Sequence, residues 1–86
     1  MSFAAKTIIQ FASSADLENA LKIDYTPFAT YLGMSVVLPP EPSDLQDLKI
    51  CRNWLMIDRC HEYVEWCKQQ FQTHNVTATI TIEEYP

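Results

Sequence analysis

From residue 56 to residue 71 the apolar positions Met56, Ile57, Cys60, Tyr63, Val64, Cys67 and Phe71 recur at helical spacing. They fall within an arc of about 120°, the core-facing stripe of an amphipathic helix. Asp58, His61, Glu62, Glu65, Gln69 and Gln72 take the opposite side. No glycine or proline interrupts the chain from Ser43 to His74, so the pattern predicts one helix over about 43–74. Ser43 and Gln46 have capping-box spacing, and Asp44 and Asp47 suit the positive end of the helix dipole. Asn75 can adopt the left-handed conformation that stops a helix. Such a helix would be about 48 Å long, against a diameter of roughly 30 Å for a globule of this size.

The pattern changes midway. Leu48, Cys51 and Leu55 mark a stripe displaced by roughly 150° from the later one. Ile50 and Trp54 add apolar surface on what becomes the polar face. A helix apolar over so much of its circumference needs cover on several sides. Leu45, Leu48, Ile50, Cys51 and Leu55 are therefore the expected dimer interface.

Beyond Asn75, residues 76–83 alternate strictly and are rich in β-branched side chains, which predicts a terminal strand. Val76, Ala78, Ile80 and Ile82 would face the core. A lone strand is not stable, and residues 7–12 are the favoured partner, although residues 3–6 suit a helix. Ser14 is the expected cap of a short helix running to Lys22. Thr26–Pro27 with Gly33 signals another helical turn, residues 34–38 a further short strand, and the prolines of 38–42 an extended spacer. The fold class is α+β, with a small β-sheet packed against one long C-terminal-half helix (about 43–74), followed by a terminal strand (about 76–83). A single domain spanning 1–86 is expected.

Composition narrows the function classes. A hydrophobic content of 48% with ten aromatic residues is that of a folding chain. The net charge of −5 opposes direct contact with nucleic acid or an anionic membrane, whose binding draws on phosphate neutralisation. No run approaches membrane-spanning length. Residues 1–6 lack the pattern of a signal peptide, and three cysteines make no disulfide framework. A cytoplasmic protein is expected.

Catalytic chemistry finds little support. On one helix Cys60 and Cys67 would lie about 10.5 Å apart along the axis, too far for a shared zinc ion or a disulfide. Cys60 and His61 would diverge by about 100°, too far round the helix for a thiolate–imidazole pair. Gly33 is the only glycine, which excludes a phosphate-cradling loop. No catalytic residue, metal or cofactor is expected. Asp58, Glu62 and Glu65 form instead a ridge that suits the basic side chains of a partner. Trp54 lies on that side, Trp66 flanks the buried stripe, and tryptophan is enriched among binding hot spots. The expected partner-binding set is Trp54, Asp58, His61, Glu62, Glu65 and Trp66.

These residues point to a non-enzymatic protein–protein interaction module, of the acidic inhibitor or immunity type, that binds a basic partner protein through a helix face and forms a homodimer. Two other classes stay open. One is a structural subunit of a larger assembly, contacting it through the first half of the helix. The other, less favoured, is a small thiol-dependent enzyme whose site forms between subunits.

Overall fold

Ala5, Thr7, Ile9 and Phe11 are buried in the computed structural model, and Lys6, Ile8 and Gln10 between them are not. This period of two gives strand β1 (Ala5–Phe11) one face in the core and one toward solvent. The structure describes residues 4–28 and 47–85. β1 is the middle strand of an antiparallel sheet, with β2 (Lys49–Trp54) on one side and β3 (Ala78–Glu84) on the other. Short helix α1 (Ser14–Leu21) follows β1, and long helix α2 (Ile57–Thr73) connects β2 to β3. Because both outer strands run antiparallel to β1, they are parallel to each other, and α2 is the crossover that such a pair needs. The architecture is the α+β arrangement read from the pattern: a small sheet, a long helix in the C-terminal half and a terminal strand.

The helix begins later than its pattern suggests. Residues 49–54 form a strand in register with β1, Ile50 opposite Ile9, Arg52 opposite Thr7 and Trp54 opposite Ala5. The physical reason is β1, whose fully buried inner face leaves two ladder edges to be paired. Ile50, Arg52 and Trp54 also alternate with Lys49, Cys51 and Asn53, a period of two hidden within the apparent helical spacing. Leu48 enters the strand through a left-handed backbone, φ 54°. At about 25 Å, α2 is half the length first expected, and the argument for an overhanging helix end falls with it. The proposed cap at Ser43, with Asp44, Leu45 and Gln46, lies outside the described residues, as do Gly33, the strand at 34–38 and the spacer at 38–42.

The stop is as expected. Asn75 is left-handed, φ 56°, the Val76 N–H donates to Phe71 O (2.8 Å) and the Asn75 N–H to Gln72 O (3.4 Å). That is a Schellman motif, and buried Val76 and Phe71 supply its usual apolar contact. At the other end of the chain the cap of α1 is Ser13 rather than Ser14: its Oγ accepts from the Asp16 N–H (3.2 Å) and donates to Asp16 Oδ2 (2.7 Å). Asp16 Oδ1 also accepts from the Thr77 N–H (2.9 Å), tying α1 to the approach of β3. The Thr77 amide first, and the Ser13 hydroxyl second, hold the Asp16 carboxyl below the usual carboxylate range.

The core lies between the inner face of the sheet and the α2 stripe of Cys60, Tyr63, Val64, Cys67 and Phe71. Leu17 and Ala20 of α1, with Ile23, Tyr25 and Phe28 after it, close one side. One short polar chain crosses this core. The Trp54 indole N–H donates to Thr7 Oγ1 (3.1 Å), which lies 3.1 Å from Cys60 Sγ. It links β2, β1 and α2, and it satisfies the only polar group of Trp54. Among the described residues no helix is long and apolar enough to cross a membrane.

Candidate functional site

His61, Glu65 and Gln69 form one row on α2 at intervals of four residues, and Glu62 and Trp66 form the next. Together with Phe28 these residues line a shallow groove of about 490 Å³. Its aromatic floor is built from the N-terminal third of the chain. The Asp24 carboxylate accepts from the Thr26 N–H (3.0 Å), starting the helical turn at residues 26–28 that presents Phe28. The Phe28 ring sits 5.7 Å from that of Tyr63 and 5.5 Å from that of Trp66. Tyr25 packs on Trp66 at 5.2 Å and donates its hydroxyl to Ala20 O (2.9 Å). Trp66 is thus held in place by two rings and is half-buried, with part of its surface in the groove lining. Tilted aromatic pairs of this kind add about 0.5–1.5 kcal/mol each beyond area burial.

The acidic residues around this floor carry partners of their own. Glu62 Oε2 pairs with Arg59 Nη1 (3.0 Å), and Glu65 Oε1 with Lys68 Nζ (3.7 Å). Both pairs are largely exposed, where such contacts are worth about 0–1 kcal/mol. A guanidinium or ammonium brought by another molecule can replace either at small cost. Asp58 is exposed in the first turn of α2 and is not in the groove lining.

Of the six residues expected to meet a partner, the groove gathers His61, Glu62, Glu65 and Trp66. Trp54 is elsewhere. It lies on β2 at 5% exposure, its ring tilted against that of Tyr63 at 5.1 Å with the Arg52 guanidinium 4.9 Å from it. The helical reading put Trp54 on the polar face; the strand turns it into the core. The expected dimer contacts divide similarly. Ile50 is buried at 2% exposure, Leu48 and Cys51 are half-buried, and Leu55 is exposed at 91% beside half-exposed Met56. Leu45 lies outside the described residues. Phe28 was missed as a site residue, because no short-range pattern reveals which face of α2 a ring 33 residues or more upstream will meet.

The buried Cys60 and Cys67 thiols are poor nucleophiles. Burial pushes Cys67 up to about 12, and burial raises Cys60 despite the opposing bond from Thr7. Reactive cysteines are shifted the other way. Among the described residues no three His, Cys, Asp or Glu side chains converge to hold a metal ion. Among the described residues Arg52 Nε is buried without a hydrogen-bond partner, the buried Tyr63 hydroxyl has only the Cys67 thiol near it, and no described groove is lined by Arg52 or Tyr63. Comparison with protein-family models, with curated proteins and with solved structures found no match to this chain.

Proposed function

We propose that this chain is a non-enzymatic protein–protein interaction module, of the acidic inhibitor or immunity type, that binds a basic partner protein through the α2 groove. The observation that carries the reading is the half-buried Trp66 in the groove lining, braced by Phe28 and Tyr25 and flanked by Glu62 and Glu65. A lysine or arginine of the partner laid over this ring gains a cation–π contact. Glu62 and Glu65 then supply charge-assisted hydrogen bonds in place of their exposed pairs with Arg59 and Lys68. The net charge of −5 steers such a partner toward the chain and disfavours acidic competitors. Three free cysteines suit a reducing cytoplasm, and the homodimer expected from the sequence belongs to the same reading.

Calorimetric titration with a lysine- and arginine-rich model peptide tests the groove. Binding is expected at low salt, weakening as ionic strength rises. Reversing both charges (Glu62→Lys with Glu65→Lys) is expected to reduce affinity roughly tenfold or more, about 1.4 kcal/mol. Reversal of the exposed Glu18 on α1 serves as the charge-matched control for Glu62→Lys alone and should leave most of the affinity. Equal losses at the two places would reduce the effect to net charge and overturn the proposal.

A further inference from the structure

Among the described residues β3 is paired along only one of its two edges. Thr77 O accepts from the Ala12 N–H, and the Tyr85 N–H donates to Ala4 O, each at 3.1 Å. Hydrogen-bonded positions alternate along an antiparallel ladder, so residues 77, 79, 81, 83 and 85 direct their backbone groups toward β1. Ala78, Ile80, Ile82 and Glu84 direct theirs to the other edge, where no described strand lies. The sequence of β3 is ATITIEE; it has no lysine, proline or bulge, and the only charges that could blunt its edge, Glu83 and Glu84, are confined to its last two residues. The opposite outer strand, β2, does carry Lys49 and Arg52. Ala78, Ile80 and Ile82 are only partly buried against the core. Beside them runs a groove of about 230 Å³, lined in part by Lys68, Phe71 and Val76.

We infer that β3 pairs antiparallel with β3 of a second copy of this chain, about a two-fold axis at Thr81. The product is a continuous six-stranded sheet with both α2 helices on one face. The open groups of the two copies meet only where even-numbered residues oppose even-numbered ones. With Thr81 opposite Thr81, Ile80 faces Ile82 and Ala78 faces Glu84, so all four open positions are used. Centring the axis on Ile80 would recruit Val76, whose N–H is already bonded to Phe71 O (2.8 Å). Charge favours the same arrangement. Glu84 of the second copy arrives beside Ala78, in the groove that Lys68 lines. Glu83 opposes Thr79, so no two carboxylates face each other. This dimer deepens the homodimer part of the reading above and leaves the Trp66 groove out of the contact.

Cysteine cross-linking tests the register in a Cys51→Ser background, where the remaining thiols are buried. Non-hydrogen-bonded antiparallel neighbours have Cα atoms about 4.5 Å apart, within disulfide range. Mild oxidation is expected to link Thr81→Cys chains into a covalent dimer. Thr79→Cys or Glu83→Cys alone should stay unlinked, and an equal mixture of those two should link. Sedimentation should show a wild-type dimer, weakened about tenfold by Glu84→Lys and restored when Lys68→Glu is added. A monomer at micromolar concentration would overturn the homodimer altogether. A dimer in which Thr81→Cys fails to link, or links no better than Thr79→Cys, would overturn this edge while leaving self-association standing.

Discussion

Replacing Trp54 with alanine is expected to lower folding stability by about 3–5 kcal/mol, the range for deleting a buried aromatic side chain. The ring is 5% exposed and packs on Tyr63 at 5.1 Å. Its loss would strip the Arg52 guanidinium of its aromatic neighbour and remove a donor from Thr7 Oγ1. Native domains have only about 5–15 kcal/mol in total, so this one change should bring the chain near its unfolding limit. Leu55→Ala, one residue on, should shift stability by less than about 0.5 kcal/mol, because Leu55 is 91% exposed. Urea unfolding followed by circular dichroism measures both. Similar losses at the two positions would contradict the β2 register, which puts residue 54 inside and residue 55 beyond the strand's end.

Alkaline pH should destabilise the folded protein progressively above about pH 9. The Cys67 thiol is pushed up to about 12, mainly by burial, whereas a thiol in the unfolded chain titrates near 8.5–9. Above that point the unfolded chain releases a proton that the folded chain keeps, so folding stability falls as pH rises. Below about pH 9 the contribution is constant. Each further pH unit removes about 1.4 kcal/mol for one retained proton, or about 4 kcal/mol for Cys67 by pH 12. Burial raises Cys60 and the phenols of Tyr25 and Tyr63 in the same direction, so their contributions add to the loss. Denaturation midpoints taken between pH 7 and 11 should be flat and then drop. Cys67→Ala should start less stable and fall less steeply. A profile unchanged up to pH 11 would contradict the burial of these groups.

How much of this was legible depended on how far each signal reached along the chain. β3 was readable because its Thr–Ile alternation has no helical counterpart, and its inner residues are those that face the core. The stripe from Ile57 to Phe71 was readable for the complementary reason. Residues 48–55 satisfied both periods at once: Leu48, Cys51 and Leu55 fit a helix, while Ile50, Arg52 and Trp54 fit a strand. What decided between them was the unpaired edge of β1, some 40 residues away. The displaced apolar stripe was nonetheless a trace of the boundary. It marked the place where a strand gives way to a helix, rather than a change of face along one helix. The candidate site was legible to the same extent. Glu62, Glu65, His61 and Trp66 share a face that helical spacing alone assigns, whereas Phe28 comes from tertiary packing and Trp54 was lost with the strand.

The groove can be observed directly by amide NMR during titration with the lysine- and arginine-rich peptide. Shifts are predicted to concentrate at Phe28, His61, Glu62, Glu65, Trp66 and Gln69, with the Trp66 indole N–H among the largest and that of Trp54, buried against Thr7, unmoved. Shifts spread evenly over the acidic surface, or centred on the outer face of the sheet around Ile8 and Thr81, would contradict the assignment of this groove as the partner-binding site.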